Sequence, residues 1–273
     1  MSEAINEHEG RALFGSDVNN YDAIRPPYPE ELYHFLQTTG AVRHTVATLE
    51  LGAGNGLATR RLLELGADPL TVLEPDGQFL PLLTSLAATH AGHYQVIQTS
   101  FEEAVLPSRC YDLVTAATSF HWIRASVRVV KAAEVLKPEG YLAVWWNVFG
   151  DPEREDLYHE ATRSVLEKLS RSPSDPQDAV PFALDTAARR REIVDTGAFD
   201  EPSHAAYRWV LWLSTQQVGA LYATFSSISR LPADHRRAIL DQLMEIAERD
   251  FGGRVARNMV TPIYVARRKP TSP

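Results

Sequence analysis

Three alternate glycines in Glu50-Leu51-Gly52-Ala53-Gly54-Asn55-Gly56 are the residues of this chain best suited to hold a ligand by its main chain. The apolar run Val46–Leu51 leads straight into them, and the helix-like segment Leu57–Leu65 follows. Glycine permits a tight turn with unusual backbone angles and lets a ligand approach the main chain closely. The start of the following helix adds unsatisfied N–H groups and a positive dipole end, suited to a carboxylate or phosphate. A second element of chemistry lies 22 residues after Gly52, where Glu74 ends the apolar run Leu70–Leu73. A carboxylate there can accept hydrogen bonds from both hydroxyls of a ribose. A dinucleotide fingerprint would need Gly or Ala where this chain has Leu57; its third glycine is Gly56 instead. That spacing favours an adenosine cofactor with an amino-acid tail over a pyrophosphate. No Gly-Lys-Ser/Thr occurs, so the P-loop is excluded.

These residues need a sheet to position them, and the pattern around them supplies one. Short apolar runs at Val46–Leu51, Leu70–Leu73, Tyr94–Ile97, Leu113–Ala117 and Tyr141–Trp146 read as strands. Between them, Leu57–Leu65, Gln78–His90 and Ile123–Leu136 carry apolar residues at three- and four-residue spacing and read as helices. Near-continuous apolar strands alternating with helices predict a parallel sheet covered on both faces. Lys137-Pro138-Glu139-Gly140 reads as a turn before the fifth strand. Ahead of the block, residues 1–40 read as one or two helices broken by Arg25-Pro26-Pro27-Tyr28-Pro29, since three prolines in five residues cannot continue a helix. Beyond it, Glu153–Leu169, Asp185–Thr196, Thr215–Ser227 and Pro232–Arg249 read as helices. Tyr207–Leu213 and Met259–Arg267 read as strands.

The block from Thr48 to Trp146 resembles a class I S-adenosylmethionine-dependent methyltransferase. The likeness rests on the glycine loop, Glu74-Pro75-Asp76, Tyr111-Asp112-Leu113-Val114 and Leu136-Lys137-Pro138-Glu139-Gly140. More narrowly, Tyr21-Asp22-Ala23-Ile24-Arg25-Pro26-Pro27-Tyr28-Pro29 and Ser119-Phe120-His121-Trp122-Ile123 resemble the small-molecule group that includes trans-aconitate methyltransferases. The resemblance implies an α/β, Rossmann-like doubly wound fold: a mostly parallel seven-stranded sheet whose last strand enters antiparallel, with a helical cap. Residues 1–40 would form lid helices, 41–149 the cofactor-binding core, 150–205 a cap insertion, and 206–273 the completion of the sheet. S-adenosyl-L-methionine would be the cofactor. Gly52, Ala53 and Gly54 would line its methionine part, Glu74 would hold the ribose with Pro75 and Asp76 beside it, and Thr99, Ser100 and Phe101 would flank the adenine. Many relatives carry an acidic residue near Thr99–Ser100; here the first is Glu102.

Methyl transfer is an in-line displacement at an activated sulfonium carbon, so the protein mainly aligns the nucleophile and excludes water. A hydroxyl acceptor needs a general base within reach, and His121, just after the fourth strand, is the candidate. A carboxylate acceptor needs no base, and Arg25 could orient it. Phe14, Tyr21, Tyr28, Trp122 and Trp146 are the candidate substrate-pocket residues. The expected reaction is methylation of a small molecule at oxygen; a non-methylating reaction on the same fold, or a silent binding protein, is the alternative.

Composition narrows the partners. A net charge of -8 gives no general attraction to nucleic acid or anionic lipid. The single cysteine, Cys110, precludes an internal disulfide, fits a reducing cytoplasm and reads as a buried thiol. No apolar run approaches the roughly 20 residues of a membrane span, and the acidic start does not read as a secretory signal. No metal-ligand spacing is evident. The expectation is a cytoplasmic monomer or homodimer.

Overall fold

The structure is a computed structural model that describes Ile5 and residues 14–87, 93–170 and 180–270. A short 3-10 turn, Phe14–Asp17, leads into α1 (Val18–Ile24) and, after the prolines, α2 (Glu30–Thr38). The central block then runs β1 (Val46–Leu51), α3 (Leu57–Glu64), β2 (Ala67–Leu73), α4 (Leu80–Ala87), β3 (Tyr94–Ile97), β4 (Tyr111–Ala117), α5 (Ala125–Val135) and β5 (Leu136–Trp145). The rest is β6 (Val148–Phe149), α6 (Leu157–Leu166), α7 (Thr186–Val194), β7 (Ser203–Ser214), α8 (Thr215–Ala223), α9 (Ser226–Ser229), α10 (Ala233–Phe251) and β8 (Arg254–Arg267).

All strands join one sheet in the order β3-β2-β1-β4-β5-β8, with β6 and β7 also paired to β8. β1 to β5 are mutually parallel, and β8 is antiparallel to β5 with Trp145 opposite Ile263. The doubly wound, mostly parallel architecture with an antiparallel last strand is therefore the one observed. Its strand count is eight instead of seven, because two-residue β6 pairs with β8 beyond the bend at Trp146-Asn147.

The period-2 alternation of strands divides the core between the two faces. Val114, Leu142 and Val144 face α5 and α7 in one cluster, with Val129, Ala132 and Ile193. Leu113, Ala143 and Trp145 face the opposite way, toward Leu36 of α2, Leu62 of α3 and Leu83 of α4. A third cluster stands apart. It joins Tyr158 of α6, Val218, Leu221 and Tyr222 of α8, Leu243 and Ala247 of α10, and Leu213 and Val255 of the long, mutually paired strands β7 and β8.

Four sequence expectations need correction. Lys137–Gly140 is no separate turn: β5 starts at Leu136, and the extra residues form an irregularity opposite Tyr111–Leu113, with Glu139 at φ 66. β7 and β8 run longer than their apolar cores because they pair with each other over Ser203–Ser214, past the edge of the main sheet. The helix read over Thr215–Ser227 breaks at Thr224-Phe225. Cys110 is exposed; it sits in the loop ahead of β4, before the strand's buried face begins at Tyr111.

Among the described residues no helix is long and apolar enough to cross a membrane. Nor does any group of three or more His, Cys, Asp or Glu there have the geometry of a metal site.

Candidate cofactor and substrate site

The carboxyl ends of β1, β4 and β5 and the amino end of antiparallel β8 converge on a cavity of about 590 Å³, which the cap covers. Open parallel sheets place their ligand sites at this end. β1 delivers the glycine loop. Gly52, Gly54 and Gly56 have φ of 64°, 54° and 75°, a region that side chains with a Cβ avoid. Gly52 is further constrained, since a Cβ there would stand 2.8 Å from Ser119 Cβ, whereas nothing lies within 4 Å of the Cβ position at Gly54. The loop therefore presents backbone to open space in the cavity.

Glu74 closes the same end. It is buried, its Oε2 accepts from the Gly54 N–H at 2.7 Å, and its Oε1 accepts from the Asp76 N–H at 2.8 Å. A carboxylate has about four acceptor positions, so these bonds aim the group without exhausting it. Pro75, Thr99, Ser100, Phe101 and Glu102 also line the cavity. Asp76 does not; its carboxylate caps the next turn through the Gln78 N–H and accepts from the Gly15 N–H. That docks the N-terminal segment beside the cofactor loop.

Sequence reasoning passed over Glu50, quoted above only as part of the loop. It is fully buried beneath the glycines; Oε2 accepts from Thr59 Oγ1 at 2.7 Å, while Oε1 has no hydrogen bond. Burial pushes its carboxyl up to about 7, opposed by the Thr59 hydroxyl and reinforced by the charge of Glu74. The signal available was an acidic residue inside an otherwise apolar strand.

Opposite the glycine loop stand the residues after β4 and β5. Thr118 has φ 55, an unusual conformation for a β-branched residue. It is pinned there: its Oγ1 hydrogen-bonds the Tyr28 hydroxyl at 2.9 Å and accepts from the Asn147 N–H at 3.3 Å. Asn147, also unmarked by the sequence, donates from Nδ2 to the carbonyls of Pro26 and Pro27. The proline segment is thereby fastened across the strand ends, and Tyr28 packs edge-on against Trp145. Burial raises the Tyr28 hydroxyl well above its ordinary range, so it stays protonated.

Arg25 lies at the mouth of this segment and lines the cavity. Its guanidinium stacks 4.7 Å from the Tyr21 ring centroid and 5.3 Å from that of Phe225. Nη2 donates to the Thr224 carbonyl, Nε is buried without a hydrogen bond, and no ion pair engages it among the described residues. Tyr21, Tyr28, Trp122 and Trp146 all line the same cavity. The side chain of Phe14 falls outside the described residues.

His121 lines the cavity as well, in a setting unlike that of a base. Nδ1 accepts from Trp146 Nε1 at 2.9 Å. Burial, with Arg128 and Arg189 nearby, lowers its pKa to about 3. The only nitrogen with a lone pair to take a proton is thus already occupied, and the cation that would result is disfavoured. His121 is placed where the sequence put it, with Nδ1 engaged by the Trp146 indole and its cationic form disfavoured.

The cap contributes residues that were not among the candidate site residues. Tyr222, Phe225 and Ser226 line the cavity from α8 and α9, and Arg257 lines it from β8. Arg257 is buried, ion-paired with Asp156 at 2.9 Å and hydrogen-bonded to the Tyr222 hydroxyl.

Glycine backbone open to a cavity, a buried carboxylate at the end of β2 and this strand order together define the class I methyltransferase fold. Residues 49–144 match the family model described as "Methyltransferase domain". An uncharacterized methyltransferase of Mycobacterium bovis is 29% identical over 238 residues, covering 85% of this chain and 84% of that protein. One from Schizosaccharomyces pombe is 26% identical over 233 residues, covering 85% and 86%. Among solved structures, a Haemonchus contortus phosphoethanolamine N-methyltransferase in complex with phosphomonomethylethanolamine and S-adenosylhomocysteine superposes with a TM-score of 0.56 at 11% identity, covering 98% of this chain and 61% of that one. Together these likenesses support a methyltransferase of the class I fold, for which S-adenosylmethionine is the implied cofactor. The open backbone at Gly54 and the aimed Glu74 carboxylate fit that cofactor's ribose and amino-acid tail.

Proposed function

We propose that the protein methylates a carboxylate oxygen of a small organic acid, using S-adenosyl-L-methionine. The observation that carries this reading is the Arg25 guanidinium, which lines the cavity with a buried donor and, among the described residues, no acidic partner. A half-buried cation with a buried, unmet donor is costly unless an anion completes it, and a bidentate carboxylate matches its fork. The state of His121 points the same way. A hydroxyl acceptor would have to lose its proton, and the imidazole cannot take it; a carboxylate has none to lose.

In this reading the backbone of Gly52, Ala53 and Gly54 holds the amino-acid tail of the cofactor and Glu74 its ribose, while Thr99, Ser100 and Phe101 flank the adenine. The cofactor supplies a methyl group on a positively charged sulfur. Arg25 and the aromatic walls from Tyr21, Tyr28, Trp122 and Trp146 orient the acid, and the described part of the lid segment, residues 14–40, closes over it. The C–S bond breaks as the C–O bond forms, with no proton released. The likeness of residues 21–29 and 119–123 to the group that includes trans-aconitate methyltransferases supports an acid as the acceptor.

A panel of metabolite carboxylic acids incubated with the cofactor tests this by product mass and by alkaline lability of the ester. The expected product carries one added methyl and is cleaved by base. Arg25→Ala should raise KM roughly 10- to 100-fold with a smaller change in kcat, the cost of one lost charge-assisted contact. Arg25→Lys should recover only part of it. A base-stable ether, an N-methyl product or a product of unchanged mass would remove the carboxylate acceptor.

A further inference from the structure

Groups from several segments converge on the imidazole of His121. Trp146 Nε1 can donate and cannot accept, so the nitrogen it meets, Nδ1, must present a lone pair. A neutral imidazole then carries its proton on Nε2, and no hydrogen-bond partner for Nε2 exists among the described residues. Phe182 stands 6.0 Å from the imidazole and 5.8 Å from the Trp146 indole, centroid to centroid. Arg189 lies 3.5 Å over that phenyl ring and Arg128 5.1 Å from its centroid.

Both arginines share one carboxylate. Glu192 pairs with Arg128 Nε and, at 3.4 Å, with Arg189 Nη1. Arg128 Nη1 donates to the carbonyls of Phe120 and Ile123, at either side of His121 in sequence. Arg189 keeps Nε and Nη1 buried without hydrogen bonds. Asp185 also acts on Arg189, but both guanidiniums, not the carboxylates, are the charges felt at the His121 ring. No carboxylate is ion-paired to His121 among the described residues, and Trp122, 5.3 Å from the imidazole between centroids, is neutral.

We propose that Trp146, backed by Arg128 and Arg189, is a positioning residue that fixes His121 with its proton on Nε2, aimed into the cavity as a donor to the acceptor group's oxygen. The substrate end of this inference rests on the carboxylate reading above. A donor on one carboxylate oxygen orients the acid and leaves the other oxygen to attack the methyl carbon. The same arrangement selects against amines. An ammonium group meets Arg25 and an N–H with no lone pair to receive it, so the site discriminates oxygen from nitrogen acceptors.

The tautomer can be read without any substrate. In full-length protein labelled with ¹⁵N-histidine, long-range proton–nitrogen spectra, assigned by the loss of one set of signals in His121→Gln, should show Nδ1 as the unprotonated nitrogen and Nε2 as the protonated one. Those signals should not titrate between pH 5 and 8. Trp146→Phe should mix the two tautomers, and Arg189→Gln, a milder change, should raise the His121 pKa while burial still holds it below the ordinary range and Trp146 keeps the tautomer. A proton on Nδ1 in the parent, or titration near 6.5, overturns the inference.

Activity supplies the second arm. The Gln side chain can place its amide N–H near Nε2, so His121→Gln should stay within about tenfold of the parent, while His121→Phe should lose roughly a hundredfold, mainly through KM. Equal loss in both variants, with a rate in the parent that rises through pH 6.5, would identify a base and overturn the donor role. The expected spectrum without any ester product would keep the tautomer and remove the carboxylate acceptor.

Discussion

At the residue scale, two buried titratable groups oppose one another. Glu50 has its carboxyl pushed up to about 7 by burial. Between pH 4.5 and 7 the folded state therefore binds a proton that the unfolded chain has released, and this group's contribution falls as pH rises. His121, with its pKa lowered to about 3, does the reverse: below about 6.5 the unfolded chain binds the extra proton, so its contribution rises with pH. In the parent the two largely cancel between pH 5 and 6.5. The readout is the difference between variants. Glu50→Gln keeps an acceptor for Thr59 and should gain stability over the parent as pH rises from 5 to 7.5, by at most roughly 1.4 kcal/mol per pH unit. A difference from parent that stays constant across that range, measured by denaturant titration, would show that folding does not raise the Glu50 pKa. Residue types and spacing disclosed the glycine loop and Glu74 because backbone freedom and an acid at a strand end are local properties. The protonation of His121 was not legible, because Arg128 and Arg189 come from separate helices and reach the ring only in the folded chain.

At the element scale, the alternation of apolar runs and amphipathic helices sufficed for β1 to β5 and the helices between them. Each buries against its sequence neighbours in a regular layer. Long-range pairing hid the rest. The ends of β7 and β8 support each other over twelve register pairs, with a weak apolar pattern in each strand alone. The proline segment was legible as a break but not as an anchored one, since its partners Asn147 and Thr118 lie more than 90 residues on or close to it. Its neighbour α1 is different. It has seven residues, none of them buried, and isolated helices of that length are marginal. What holds it is polar: Asn55 Nδ2 donates to Asp22 at 3.0 Å and Asn20 Nδ2 to the Ala220 carbonyl at 2.9 Å. Hydrogen exchange at the α1 amides should be fast in the free protein and slowed when S-adenosylhomocysteine fills the loop beneath, the behaviour of a lid. Asn147→Ala should speed it further by loosening the strap. Equally strong protection of α1 with and without ligand would make residues 1–40 a fixed cover.

At the scale of the whole molecule, the cap is a third core grafted on strands it shares with the sheet. The residues 150–205, read as one cap insertion, divide: α6 joins the third cluster, whereas Ile193 of α7 packs on the sheet. The helices that complete the cap come from α8 to α10, in the segment read as finishing the sheet. β8 ties the two parts together. Its residues from Ile263 on pair with β5, while Val255 lies in the cap core and Arg257 anchors α6 through Asp156. Asp156 also caps α6, accepting from the His159 N–H, and accepts from the Asn258 N–H. The pair is almost wholly buried, with side chains 2% and 5% exposed. Removing one charge of a buried pair strands the other, at a cost of roughly 3–5 kcal/mol. Asp156→Asn keeps the cap acceptor and removes the charge, so it isolates that cost and should lower Tm by on the order of 10 °C. Adding Arg257→Met should restore much of the loss, because no charge is then left unpaired. Since β8 belongs to both cores, cap and sheet should melt together. Fluorescence from Trp145 and Trp146 in the sheet and far-ultraviolet dichroism dominated by helix should give coincident transitions in the parent and in both variants. Helix signal lost well before tryptophan fluorescence would mean that the cap unfolds by itself and that β8 does not couple them.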